Sequence, residues 1–169
     1  MPKLLVTGAP GVGKTTLIRA VVRELAGLKL SGFYTEELRG PRGRTGFRVV
    51  TLDGKEGPLA TVGGEGPRVG RYAVQTDAFE RLALPALAPE RKPDLFVIDE
   101  IGRMECLSER FVQAVRRLLT GDEPLLATVA LRGGGLIEEA KRTPGAELLE
   151  VTRANRDGLV ASLVERLRA

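Results

Sequence analysis

Residues 8–16 read GAPGVGKTT, and the apolar run KLLVT at 3–7 leads straight into them. Leu17, Ile18, Val21, Val22 and Leu25 then recur at helical spacing, with Gly27 as a stop signal. An apolar strand, a glycine-rich turn and a helix in that order begin a parallel α/β sheet. The turn matches GxxxxGK[ST] through Gly8, Gly13, Lys14 and Thr15, with Ala9, Pro10, Gly11 and Val12 between the glycines and Thr16 after the pattern. Small residues there let successive backbone N–H groups wrap a phosphate. A lysine adds charge at the β and γ oxygens, and a hydroxyl is a ligand for Mg²⁺. A mere strand-to-helix turn is the competing reading, and the specificity of the pattern weighs against it.

Composition narrows the chemistry. At 169 residues the chain is expected to form one domain, 1–169. Its net charge of +4 comes from 26 basic and 22 acidic residues spread evenly, without the basic tail or aromatic-basic interleaving of a nucleic-acid binder. Cys106 is the one cysteine and histidine is absent, so no intrachain disulfide can form and the usual zinc sites lack ligands. Catalysis must therefore run on carboxylates, lysine, arginine, hydroxyls and backbone amides. No apolar stretch approaches the roughly 20 residues of a membrane span, and no signal-peptide pattern precedes the first strand, so a soluble, cytoplasmic protein is expected. Asn155 is the one asparagine and glutamine occurs at Gln75 and Gln113 alone, a bias that either a thermophilic source or a GC-rich genome produces.

The middle third, about 32–75, changes character. GFYTEEL, GFRVVTL, GPLATVG and RYAVQ are strand-like, and RGPRGRTG, DGKEG and GGEGPRVG between them are turn chemistry, which predicts an antiparallel hairpin insertion. Residues 77–87 read as a helix bent or ended by Pro85. Strand and helix then alternate as DLFVIDE, SERFVQAVRRLL, PLLATVAL, LIEEAKR, AELLEVT and DGLVASLVERLR. That alternation predicts a mainly parallel sheet with helices on both faces.

LFVIDE carries Asp99 to the carboxyl end of a strand, where open α/β sheets bind ligands and where an acid can hold Mg²⁺ through water. With the phosphate loop it forms a Walker A and Walker B pair, and the expected fold is a P-loop NTPase sheet of the RecA/ASCE-like kind. Glu100, directly after Asp99, is where hydrolytic ATPases often place a carboxylate that polarises water. In a chain without histidine it is the best candidate base, against the alternative of a solvated strand-end carboxylate. In such sheets the strand at 125–131 inserts between the phosphate-loop strand and the DE strand. Thr128 is then expected to face the γ-phosphate, or else to be an ordinary strand residue. Arg39, Arg42, Arg44, Arg68 and Arg71 flank glycines on turns that could close over a triphosphate or simply lie exposed, and Arg103 is the better-placed cation. Asn155 sits where it would cap the last helix, beside the place where the nucleotide base often lies, so capping and contact by Asn155 or Arg156 both stay open.

GAPGVGKTTL, GFYTEE, GFRVVTLDG, VGRY, FERLALPAL, VIDEIGRMEC, FVQAVR and VTRANRD, taken in order, resemble the small nucleoside-triphosphatases known from thermophiles and, in animals, as the cancer-related nucleoside triphosphatase. The resemblance implies Mg²⁺-dependent hydrolysis of ATP, GTP, CTP and UTP to diphosphate and phosphate, with little base selectivity and slow turnover. It implies that residues 8–15 bind phosphates, that residues 95–102 form the second nucleotide segment, and that Arg103 stands where the family also uses lysine. The loop at 132–135 is shorter than in some relatives, which leaves a lid role open there. The same machinery would serve a kinase with a small acceptor, or a nucleotide-gated switch. No membrane partner is expected, and a monomer is favoured.

Overall fold

A computed structural model describes residues 2–169. Strand β1 (Lys3–Thr7) is buried along its whole length, as a central parallel strand must be. Helix α1 (Lys14–Glu24) follows the glycine loop and ends just before Gly27. Strands β2 (Leu30–Gly40), β3 (Gly43–Thr51), β4 (Glu56–Val62), β5 (Arg68–Val69) and β6 (Tyr72–Val74) come next. Helix α2 (Thr76–Ala86), with Pro85 in its last turn, leads to β7 (Leu95–Ile101), α3 (Glu109–Thr120), β8 (Leu125–Val129), α4 (Leu136–Lys141), β9 (Glu147–Glu150) and α5 (Arg156–Arg168).

All nine strands form one sheet in the order β5-β6-β4-β3-β2-β7-β8-β1-β9. The five strands from β2 to β9 in that order pair in parallel, and β2 to β5 pair antiparallel. Strand β8 lies between β1 and β7, so the DE strand stands two places from the phosphate-loop strand. From the sequence the antiparallel segment is expected to open at about residue 32. Antiparallel pairing begins at Phe33, while β2 itself opens at Leu30, and its residues from Leu30 to Phe33 pair in parallel with Leu95 to Ile98 before the strand runs on into the hairpins. The hairpins are thus continuous with the parallel sheet and make one wall of the cleft described below.

Alternation along each strand divides the core between the two faces. Leu4 and Val6 join Ile18 and Val21 of α1 and Leu163 of α5, while Leu5 joins the face covered by α2, α3 and α4. On that second face Phe33, Phe79 and Phe111 meet edge to face at 5.2–6.0 Å between centroids. Ser108 caps α3 by accepting from the Phe111 N–H at 3.0 Å, which fixes where that ring enters the core. Phe111→Ala is expected to cost about 3–5 kcal/mol through reduced burial and an unfilled cavity, read as a lower urea midpoint. Among the described residues no helix is long and apolar enough to cross a membrane.

Candidate active site

The carboxyl ends of β1, β7 and β8 meet at one edge of the sheet, and the loop after β1 lies across it. Gly11 and Gly13 take φ of 79° and 104°, a region that side chains disfavour. A Cβ on Gly8 would meet the Val151 carbonyl oxygen at 2.8 Å, and one on Gly13 would meet the Arg156 guanidinium at 2.7 Å. The glycines therefore satisfy backbone geometry and close packing at once. No side chain caps α1 by hydrogen bonding, so its first N–H groups are left for an anion.

Lys14 folds back over the loop, donating to the Gly8 carbonyl at 2.9 Å and standing 3.1 Å from a Glu100 oxygen. Thr15 donates to Asp99 Oδ2 at 2.7 Å, and Thr128 donates to Asp99 Oδ1 at 2.6 Å. Asp99 is only 1% exposed, and that burial is what chiefly raises its pKa. The hydroxyls of Thr128 and Thr15 pull it back, and the Glu100 charge pushes it up further. The Asp99–Glu100 peptide is cis. Glu100 keeps partial exposure and faces the cleft.

Thr128 is fully buried and donates its hydroxyl to Asp99, which it holds in place. One expectation needs correcting. Asn155 occupies the N-cap position of α5 but makes no capping bond with its side chain. Its Oδ1 accepts from the Thr152 N–H at 2.7 Å and its Nδ2 donates to the Glu150 carbonyl at 2.9 Å, so it ties the loop after β9 to itself. Arg156 reaches the phosphate loop from outside, donating to the Val12 carbonyl at 3.1 Å.

A cleft of about 760 Å³ opens over these groups, lined by Ala9, Pro10, Gly11, Lys14 and Thr15 of the loop and by Asp99, Glu100 and Arg103. Of the five arginines on glycine-flanked turns only Arg44 lines it, held by a hydrogen bond to Glu37 and stacked over Phe47. Arg39 pairs with Glu37, Arg68 and Arg71 donate to backbone carbonyls, and Arg42 lies on the turn between β2 and β3. Arg103 is exposed and has no ion-pair partner among the described residues.

Glu105 also lines the cleft, three residues beyond the expected end of the second nucleotide segment at residue 102. Its Met-Glu-Cys context carries no sign of burial, although a second carboxylate so soon after Glu100 is a signal. Both acids crowd onto Gly102: a Cβ there would meet Glu100 Oε1 at 2.6 Å and Glu105 Oε1 at 2.9 Å. Burial, then the neighbouring Glu100, raises the Glu105 pKa well above the ordinary 4.5, against a smaller pull from backbone N–H groups. The same surroundings push the Cys106 thiol to about 12, which rules it out as a thiolate nucleophile.

A pH dependence follows from Glu105. Its pKa is higher folded than unfolded, so its contribution to stability is fully present below about pH 4.5 and is lost as pH rises through the folded value. Glu105→Gln is therefore expected to be more stable than wild type at about pH 7, with the difference closing at about pH 4. Urea midpoints at the two pH values measure it, and a gap of the opposite sign would contradict the raised pKa.

The donors at Thr15 and Asp99 suit Mg²⁺. Both are hard oxygens, and by giving its proton to Asp99 the Thr15 hydroxyl keeps its lone pairs for a cation.

Known proteins resemble this chain in sequence and fold. A family model described as NTPase matches residues 3–164. The cancer-related nucleoside-triphosphatase of Homo sapiens is 42% identical over 180 residues, which cover 95% of this chain and 94% of that protein. The nucleoside-triphosphatase THEP1 of Aquifex aeolicus is 39% identical over 178 residues, 97% of this chain and 99% of that one. The crystal structure of THEP1 from the hyperthermophile Aquifex aeolicus matches the fold with a TM-score of 0.91 at 37% identity over 99% of both chains. The solution structure of a human cancer-related nucleoside triphosphatase matches at 0.81 and 41%, over 99% of this chain and 97% of that one. With a family model over residues 3–164 and relatives about 40% identical over nearly all of its length, the chain belongs to the NTPase family of these nucleoside-triphosphatases.

Proposed function

We propose that this chain hydrolyses nucleoside triphosphates to diphosphate and phosphate. The observation that carries the reading is the 3.1 Å approach of the Glu100 carboxylate to the Lys14 ammonium, which sets a base beside the cation that meets the β and γ phosphates. Residues 8–16 hold the phosphates through backbone N–H groups and the N-terminus of α1. Lys14 leaves Glu100 for the phosphate oxygens, and Glu100 then orients a water in line with the terminal phosphorus and accepts its proton. Arg103 at the cleft mouth adds charge against the developing negative oxygens. Thr15 and Asp99 would hold Mg²⁺, which neutralises phosphate charge when bound. Asn155 serves the nucleotide side by holding the shape of the loop after β9.

Base selectivity is low, and ATP, GTP, CTP and UTP are all substrates. The test is phosphate release from each of the four triphosphates with and without Mg²⁺. Release from all four with Mg²⁺ is expected. Failure with all four overturns the reading.

A further inference from the structure

The cleft runs in a direction that hydrolysis alone does not explain. In a loop of this kind the backbone amides cradle the α and β phosphates, and the lysine reaches the β and γ phosphates. The cleft takes in Ala9, Pro10, Gly11, Lys14 and Thr15 of the loop and continues past Asp99 and Glu100 to the antiparallel strands β3, β4 and β5. Its far part, walled by Phe47, Leu59 and Val69 of those strands, lies past the lysine and the two acids, on the side of the terminal phosphate. At about 760 Å³ the whole cleft, phosphate end included, falls within the roughly 300–1,000 Å³ range of ligand sites.

The walls of this chamber sort by depth. Phe47, Leu59 and Val69 supply an apolar side from the hairpins. The inner end carries Glu100 and the buried Glu105. Arg44 and Arg132 line the chamber too, and both are exposed residues that open it to solvent at its rim. A ligand complementary to this pattern is anionic where it meets the rim, has a carbon skeleton in the middle, and carries a neutral proton donor at the inner end. A second phosphate at the inner end would face the Glu100 carboxylate, whereas a hydroxyl can donate to it.

We propose that the chamber is a second substrate site, which takes a small anionic alcohol and presents its hydroxyl to the terminal phosphate in place of water. The proposal rests on the nucleotide being held as described above. The hydroxyl oxygen bonds to the γ-phosphorus and its proton passes to Glu100. The bond from the γ-phosphorus to the bridging oxygen breaks, and the nucleoside diphosphate leaves with that electron pair. The products are a phosphate ester and a diphosphate, and no other reactant is needed. Hydrolysis is then what the same site does when water holds the acceptor position.

The experiment uses the full chain with Mg²⁺ and ATP labelled with ¹⁸O in the γ-phosphate. Ribose 5-phosphate, glycerate and adenosine 5′-monophosphate are supplied separately as probes, and mass spectrometry and free phosphate are followed together. The labelled phosphoryl group is expected on at least one probe, with free phosphate falling in proportion. Phe47→Ala and Val69→Trp are expected to lower transfer to that probe about tenfold or more, on the scale of one good interaction, and to leave phosphate release without probe unchanged. Two variants are used because Phe47 also packs on the Tyr72 ring at 5.2 Å, so its replacement can disturb the hairpins. Phosphate release with no labelled probe overturns the acceptor site and leaves the hydrolysis reading standing. Loss of both activities overturns both readings. Transfer undiminished in both variants overturns the placement of the acceptor in this chamber.

Discussion

Glu100→Gln is expected to slow phosphate release by about 10²–10⁴-fold, the usual contribution of a positioned general base, while leaving nucleotide binding intact. The assignment comes from the fate of the other acids at the cleft. Asp99 has both oxygens committed, one to Thr15 and one to Thr128. Glu105 is buried with its pKa raised well above the ordinary value, and Glu37 is engaged by Arg44 and Arg39. Glu100 alone is partly exposed, faces the cleft and has as its neighbour the lysine that a phosphate would draw away. Glutamine keeps the shape and a hydrogen-bonding oxygen but cannot take the proton. Removing the carboxylate also removes a like charge from beside the phosphate site, so nucleotide affinity is expected to hold or rise. Phosphate release together with titration of a fluorescent nucleotide separates the two effects. Turnover at the wild-type rate would end the case for Glu100 as the base.

The parts of this site that are legible in the sequence are those written in local pattern. The apolar run, the spaced glycines and the Lys-Thr pair follow one another within 16 residues, and LFVIDE places its acid by strand length alone. The rest depends on partners far along the chain. Thr128 lies in a strand buried on both faces, where alternation no longer tells which side a residue serves, so its turn toward Asp99 has no local signature. Asn155 has the same local pattern whether it caps a helix or braces the loop before it. The burial of Glu105 is made by the approach of β7 and the turn at Gly102, and nothing in its immediate neighbours announces it. Only Arg44 among the hairpin arginines reaches the cleft because strand pairing sets which side chains face it. The double role of β2, parallel at its start and antiparallel later, likewise follows from pairing with β7 and β3, of which β7 is distant in sequence.

Lys14→Ala is expected to bring the larger effect, a fall of about 10³-fold or more in kcat/KM, because it removes a charge that meets phosphate both in the bound nucleotide and in the transition state. Stability should move the other way. Lys14 is the first residue of α1, and a cation there opposes the positive end of the helix dipole. Alanine is also the better helix former. Against these gains, alanine gives up one hydrogen bond to the Gly8 carbonyl and one ion pair with a partly exposed Glu100, each of modest worth. The variant should therefore melt within a few degrees of wild type, or above it, while binding nucleotide poorly and releasing almost no phosphate. Arginine is not expected to rescue it, because a planar guanidinium does not fit the short reach from α1 back to the loop that a lysine ammonium makes here. Intact folding with normal nucleotide affinity in Lys14→Ala would show that the loop is not where the phosphates are held, and the assignments of Thr15, Asp99 and Glu100 would fall with it.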